Sequence, residues 1–195
     1  MEKKKYIAIL ASGSGTNARR LIQYFRAHPE GEVALLVSNK PDAPALDMAR
    51  RAGVKTRVIG REQLYESREL PQLFREKGIA LIALAGFLWK VPNDLVEAYK
   101  GRMLNIHPAL LPDFGGKGMY GMHVHRAVKA AGHKQSGMTI HLVNTRYDEG
   151  QILYQASCTL SPSDTPEDIA RKVQQLEHRF YPPVVAQLLP FIPTT

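Results

Sequence analysis

The sequence has 195 residues, of which 44% are hydrophobic and 23% charged, a composition that excludes a disordered chain and predicts a single globular domain over residues 1–195. No apolar run approaches the roughly 20 residues that span a bilayer, and the apolar stretch after the charged start is too short for a signal peptide. We therefore expect a cytoplasmic protein without a membrane segment. Its one cysteine, Cys158, excludes an internal disulfide and a cysteine-based metal cage.

The charge balance favours anionic ligands. Lysine and arginine number 26 against 18 aspartate and glutamate residues, a net charge of +8. Because the basic residues are dispersed and not interleaved with aromatic ones, small phosphorylated or carboxylated molecules are predicted as partners, and nucleic acid is not. The sequence does not determine the assembly, and a homodimer is kept as one option.

In chain order, apolar runs of strand length at residues 6–11, 33–37, 54–59 and 79–85 are each followed by a polar segment with helical spacing. This alternation predicts a mostly parallel twisted sheet with crossover helices on both faces and a nucleotide-binding-like, or Rossmann-like, N-terminal half. We expect helices to begin at Asn17, at Pro41 or Pro44, and at Ser67. Two further runs from Ser136, separated by TRYDE, predict an antiparallel strand pair, and residues 165–189 predict a closing helix.

The first candidate site is the segment ILASGSGTNARRLI, a strand followed by a glycine-rich loop and a helix. Gly13 and Gly15 let the backbone turn tightly, and the free amides at the start of the helix favour an anion such as a phosphate. The segment lacks the lysine of a Walker loop and matches the dinucleotide fingerprint only in part. An ordinary tight turn is the alternative.

Two further candidates lie at later strand ends. In ALAGFLWKVP, a buried strand ends at Gly86, and Phe87, Leu88 and Trp89 either line a flat pocket or pack into the core. In LNIHPALLP, Asn105 and His107 are two residues apart in a strand and so face the same side, before a proline ends the strand.

A carboxylate completes the predicted site. Asp148, in YDEG between the last two strands, would orient the His107 ring and favour its protonated form if the fold brings the two together. The imidazole could then act as an acid and a base near neutral pH. A strand end with polar residues that bond only a loop is the alternative. His123 and His125 form an HxH pair, but no third ligand follows at a convincing spacing, so no metal is predicted. His141 could support the site from behind.

The motifs ASGSGTN, AGF, NIHPALLP and Asp-x-Gly before QILYQ stand in the order and spacing found in the folate-dependent formyltransferases, which the sequence resembles over nearly its whole length. The resemblance implies a purine-biosynthetic enzyme that moves a formyl group from 10-formyltetrahydrofolate, its co-substrate, to the amino group of 5-phosphoribosylglycinamide, without a metal.

The resemblance also implies roles for residues. Gly15, Thr16 and Asn17, with Gly13 and Ser14 of the same loop, would hold the substrate phosphate, and Glu177 would contact the ribose. The folate would be held by Arg68, Leu88, Trp89, Lys90 and Val91, with Asn105 at the formyl group. Asn105, His107 and Asp148 would be the catalytic residues.

One segment departs from the family pattern. Residues 113–122, DFGGKGMYGM, are longer than expected and contain four glycines, which is typical of either a mobile lid or a rigid irregular turn. Three other functions are the alternatives. They are a related formyl-folate enzyme that acts on methionyl-tRNA or hydrolyses formyl-folate, a nicotinamide-dependent oxidoreductase, and a non-catalytic binding protein. The oxidoreductase would need an acidic residue at the end of the second strand, where SNKPD places Asn39 and Lys40.

Overall fold

The computed structural model describes residues 4–67 and 69–192. Its strands are β1 (Lys5–Leu10), β2 (Gly31–Ser38), β3 (Lys55–Val58), β4 (Ile79–Leu84), β5 (Met103–His107), β6 (Gln135–Leu142) and β7 (Ile152–Thr159). Its helices are α1 (Thr16–Phe25), α2 (Pro44–Arg51), α3 (Arg61–Tyr65), α4 (Glu69–Glu76), α5 (Asn93–Ala98), α6 (Met122–Ala130) and α7 (Pro166–Leu188), followed by a 3₁₀ turn at Leu189–Phe191.

All seven strands form one sheet in the order β3-β2-β1-β4-β5-β6-β7. Strands β1 to β5 are parallel to one another, and β6 pairs antiparallel with both β5 and β7. The predicted fold class is therefore confirmed. After β1, β2 and β3 are added on one side of β1, and β4 and β5 are added on the other side. Open α/β sheets bind their ligands at such a topological switch point.

Helices cover both faces of the sheet. One hydrophobic cluster contains apolar side chains of α1, α2, α6 and α7, and the other contains side chains of α3, α4 and α5. Every residue of β4 is buried, as its uninterrupted IALIAL run predicted. No helix among residues 4–67 and 69–192 combines the length and the apolar character needed to cross a bilayer.

Two helix starts differ from prediction. Helix α1 begins at Thr16, not after Asn17, because Gly15 adopts the left-handed conformation that places it at the N-cap. The polar segment after β3 forms two helices, α3 and α4, where the sequence predicted one from Ser67. The starts of α2 at Pro44 and of α7 after Thr165 agree with prediction.

Strand alternation sets the direction of the site residues. Leu104 and Ile106 of β5 belong to the first hydrophobic cluster, so Asn105 and His107 point to the opposite face of the sheet. In the neighbouring strand, His141 lies opposite Asn105 and Thr139 opposite His107. The antiparallel pairing therefore places four polar side chains together on one face.

Candidate active site

A single cavity of about 850 Å³ is lined by every predicted site residue that the structure describes, namely Gly13, Ser14, Gly15, Thr16, Asn17, Leu88, Trp89, Lys90, Val91, Asn105, His107, Asp148 and Glu177. Arg68, the remaining predicted residue, lies outside the described residues. Five distant segments of the chain thus meet at one place, beside the carboxyl ends of β1, β4 and β5.

The glycine loop forms one end of this cavity. Gly15 has φ 71°, and a Cβ atom there would lie 2.6 Å from Cβ of Ala45, so only glycine fits the turn. Before the loop, the Ser12 hydroxyl donates to Oδ1 of Asn39 at 2.5 Å and accepts from the amide of Leu88 at 2.9 Å. The loop is therefore tied both to the end of β2 and to the segment after β4.

Glu177 reaches the glycine loop from α7. Nδ2 of Asn17 donates to its Oε2 at 2.8 Å, and Nε2 of Gln174, one turn earlier in α7, donates to the Thr16 hydroxyl at 3.3 Å. Burial raises the pKa of Glu177 from 4.5 to about 7, although the Asn17 hydrogen bond opposes this shift. A carboxyl group that titrates near neutral pH therefore faces the cavity beside the glycine loop.

Asn105, His107, His141 and Asp148 form a compact polar cluster. The two carboxylate oxygens of Asp148 lie 3.6 Å from Nδ1 of His107 and 3.6 Å from Nε2 of His141. The Asn105 amide Nδ2 lies 3.1 Å from Nε2 of His141 and 3.5 Å from the Asp148 carboxylate. Asp148 and His107 therefore lie together as predicted, and His141 contacts Asp148 and Asn105.

The two nitrogens of the His107 ring both face acceptors, since Nε2 donates to the carbonyl of Phe114 at 2.8 Å and Nδ1 faces Asp148. Burial lowers the pKa of His107, and this effect outweighs the Asp148 carboxylate and the Phe114 carbonyl, which raise it. The sequence predicted that the carboxylate would favour the protonated ring. The direction of that contribution is right, but desolvation is larger.

Asp148 has an unusual backbone conformation and a hydrogen-bonded carboxylate. It has φ 54° although it is not a glycine, and the amide of Gly116 donates to its carboxylate at 2.9 Å. Burial raises the pKa of Asp148, but the His141 hydrogen bond, the charge of His107 and the Gly116 amide together hold it below its usual range. Two residues later, a Cβ atom on Gly150 would lie 1.6 Å from the carbonyl oxygen of Leu142, so the turn admits no side chain there.

The opposite wall consists of the segment after β4. The Trp89 ring lies tilted beside Tyr65 with centroids 6.3 Å apart, and the Arg61 guanidinium lies 5.0 Å from the Trp89 ring centre. Tyr65 also donates a hydrogen bond to the Lys90 carbonyl at 3.0 Å. Leu88 is 44% exposed at the mouth of the cavity, whereas Val91 packs into the second hydrophobic cluster. Phe87 and Trp89 line the cavity and also pack against the second hydrophobic cluster, so both interpretations of Phe87, Leu88 and Trp89 hold in part.

Three contributors were missed or undervalued at the sequence level. His141 touches Asn105 and Asp148 directly, and the period of two along β6 was the signal, because it places His141 opposite Asn105. The Phe114 carbonyl, which accepts from His107, has no signal in side-chain chemistry. Residues 113–121 form an irregular turn with positive φ at Phe114, Gly116, Gly118 and Gly121. Residues 116–121 of this turn line the cavity.

The HxH pair does not form a shared site. Two residues apart in α6, His123 and His125 project to different sides of the helix. His123 packs against the Tyr120 ring, while His125 is buried and lines the cavity. Within residues 4–67 and 69–192, no group of three His, Cys, Asp or Glu side chains has the arrangement of a metal site.

This combination of fold and site defines a class. The protein is an α/β protein with a nucleotide-binding-like sheet, a glycine loop at its switch point and an Asn-His-Asp cluster around the buried His107 in the same cavity. The family model described as "Formyl transferase" matches residues 5–185. The chain belongs to the formyl transferase family.

Relatives of known name support this assignment. The chain is 41% identical over 192 residues to the chloroplastic phosphoribosylglycinamide formyltransferase of Arabidopsis thaliana, covering 95% of this chain and 66% of that protein. It is 33% identical to the phosphoribosylglycinamide formyltransferase of Bacillus subtilis, covering 95% of each. The chain thus spans just under two thirds of the Arabidopsis protein, and 61% of its chloroplastic counterpart in Vigna unguiculata.

A solved structure shows the same fold. The crystal structure of phosphoribosylglycinamide formyltransferase from Bacillus halodurans superposes with a TM-score of 0.84 at 38% identity and covers 95% of each chain.

Proposed function

We propose that the chain transfers the formyl group of 10-formyltetrahydrofolate to the amino group of 5-phosphoribosylglycinamide, a step of purine biosynthesis. The observation that carries this proposal is the placement of Asn105, His107 and Asp148 in the same cavity as the glycine loop. The names of the relatives support formyl transfer to phosphoribosylglycinamide, and 10-formyltetrahydrofolate is the formyl donor that the family resemblance implies.

The two ends of the cavity suit the two ends of the amine substrate. The glycine loop at the start of α1 offers backbone amides to the phosphate. Glu177, bonded to Asn17, is positioned to bind a ribose hydroxyl from the α7 side. A substrate fixed at its phosphate and its ribose would extend its amine along the cavity toward Asn105 and His107.

Formyl transfer proceeds in this proposal by direct attack. The substrate nitrogen bonds to the formyl carbon, whose carbonyl electrons move to oxygen and give a tetrahedral anion. The Asn105 amide contacts Asp148 only at a long 3.5 Å, and in this proposal it turns an N–H to the anion. Losing such a donor typically costs about 3 kcal/mol of barrier, roughly a hundredfold in rate.

Collapse of the anion breaks the bond between the formyl carbon and the folate nitrogen. The attacking nitrogen gives up a proton, and the leaving nitrogen gains one, so the net reaction moves one proton between them. His107 carries it, since its Nε2 exchanges the Phe114 carbonyl for the leaving nitrogen while Asp148 stabilises the charged ring. No serine or cysteine of the described cavity lining stands beside a base in a nucleophilic arrangement, so no covalent formyl-enzyme is included.

The folate would lie against the segment after β4. Leu88 and Trp89 provide an apolar surface for its rings, and the backbone of Lys90 and Val91 passes along the same wall. Arg68 remains a predicted folate ligand from the family resemblance.

The nicotinamide alternative fits the site less well. Asn39 at the end of β2 accepts a hydrogen bond from Ser12 and offers no carboxylate to a ribose. A formyl-folate hydrolase would use the same polar cluster, but it has no need of a glycine loop that binds a phosphate beside Glu177. No release of tetrahydrofolate from formyl-folate, with or without the amine, would favour the nicotinamide alternative.

The test is formyl transfer measured with purified protein. Release of tetrahydrofolate is followed with both substrates and with each substrate alone. Release that requires the amine, and that is lost in His107→Ala, supports the proposal. Release without the amine would show a hydrolase, and a formyl-enzyme trapped in a single turnover would exclude direct transfer.

Location and assembly stay predictions from the sequence. We propose a cytoplasmic protein with one reduced cysteine, and a homodimer is the assembly to test by light scattering after size-exclusion chromatography.

A further inference from the structure

Three cationic side chains of the described residues line the cavity, namely Lys90, Lys117 and Arg146. Two of them already have partners. Nζ of Lys90 lies 5.6 Å from the ring centre of Tyr147, and Arg146 forms an ion pair with Glu149 at 3.1 Å. Within residues 4–67 and 69–192, the Lys117 side chain has no hydrogen-bond or ion-pair partner, and it is exposed to the cavity solvent.

The backbone around Lys117 has an unusual form. Gly116 and Gly118 on either side have φ 93° and 89°, and a Cβ atom on either would meet no atom within 4 Å. Conformation and not crowding therefore requires these glycines. The turn is anchored by the Gly116 amide on Asp148 and by the Phe114 carbonyl on His107, which fixes the backbone of Lys117 one residue from the catalytic cluster.

This turn and the glycine loop are two walls of one cavity. The turn leads directly into α6, which packs against α7, and α7 packs in turn against α1. Gln174 and Glu177 of α7 bond Thr16 and Asn17 of the glycine loop. Lys117 thus lies on the turn before α6 and lines the same cavity as the glycine loop, whereas Lys90 and Arg146 are engaged by Tyr147 and Glu149.

The glycine loop has a charge deficit that Lys117 could remove. It offers amides and hydroxyls but no lysine, whereas a phosphate monoester carries about −1.5 to −2 charges at neutral pH. We propose that Lys117 binds the substrate phosphate from the turn that precedes α6 and supplies the cation that the glycine loop lacks. This inference rests on the proposed function, since it assigns a specificity role within the same site.

The test compares ligands that differ only in the phosphate. Lys117→Gln should raise the KM for 5-phosphoribosylglycinamide roughly tenfold to a hundredfold, the loss of one charge-assisted hydrogen bond, with kcat and the KM for formyl-folate nearly unchanged. Its kcat/KM for the dephosphorylated glycinamide riboside should equal that of the wild type. Lys117→Arg, which keeps the charge, should recover most of the affinity.

A matched control separates contact from general charge. Arg20→Gln removes one charge from the exposed side of α1, close to the glycine loop but outside the cavity lining, and should change the KM less than twofold by comparison. An equal effect of both variants would overturn the proposal, as would an equal loss with the phosphorylated and dephosphorylated substrates.

Binding keeps the inference testable apart from the reaction. Inhibition or calorimetric binding by ribose 5-phosphate, with ribose as the reference, does not require formyl transfer. Weaker ribose 5-phosphate binding by Lys117→Gln would support the phosphate contact even if the wild type failed to transfer formyl groups. Unchanged binding would exclude the contact.

Discussion

The two ends of the cavity use different parts of the polypeptide. At the glycine loop the backbone conformation is decisive, because Gly15 must be left-handed and the proposed binding groups are the amides at the start of α1. At the polar cluster, the proposed chemistry depends on the side chains of Asn105, His107 and Asp148, of which His107 is buried. Substitutions should therefore act through shape at one end and through functional groups at the other.

The largest effect is expected for His107→Ala. Removing a proton carrier typically costs roughly 10²–10⁴-fold in rate, so kcat should fall by that factor while the KM for the phosphoribosyl substrate changes little. Steady-state kinetics measure both. Because the substitution empties a buried position, His107→Asn and a circular dichroism melt serve as controls for folding. A KM rise with unchanged kcat in both variants would contradict the division of labour between the two ends.

Asn105→Ala is expected to rank second. The loss of an anion donor should lower kcat roughly 10²–10³-fold without changing the pH at which the rate is half-maximal. The pH profile distinguishes this from indirect damage to His107, which would also displace the profile. Asn105→Asp, of nearly the same size but with an added negative charge, should be at least as inactive.

Glu177 gives a stability effect of about 3 kcal/mol. Its pKa is raised from 4.5 to about 7, so between these values the folded protein retains a proton that the unfolded chain has lost. The free energy of unfolding should therefore fall as the pH rises through this window. Urea unfolding of the wild type and Glu177→Gln should diverge with rising pH, the variant becoming relatively more stable.

The exposed Glu97→Gln is the matched control for that measurement. It removes the same charge without a buried carboxyl group. The free energies of unfolding of the wild type and Glu177→Gln are compared from pH 4.5 to 7.5. A constant difference would show that the titration of Glu177 is not coupled to folding.

The smallest effect concerns two glycines of one loop. Gly15→Ala forces a Cβ atom to 2.6 Å from Ala45 at a left-handed position and should cost about 2 kcal/mol of stability. Gly13→Ala meets nothing within 4 Å and should be nearly neutral. Thermal unfolding compares the two, and equal losses would mean that the loop depends on glycine flexibility and not on the geometry of Gly15.

Local patterns predicted most of the fold and much of the site. Alternating apolar and polar runs predicted the parallel strands, and the period of two predicted that Asn105 and His107 share a face. What escaped prediction depends on distant pairing. His141 enters the site only because β6 pairs with β5 in one register, and the net pKa of His107 depends on burial that no nine-residue motif contains.

Gly150 shows that a residue without a functional group can restrict which substitutions a protein tolerates. With the Leu142 carbonyl 1.6 Å from where its Cβ would be, any side chain must displace the turn that holds Asp148. In a library of random variants selected for activity, we expect position 150 to tolerate as little change as position 148. An intolerant position in such a survey therefore does not by itself identify a group that touches substrate.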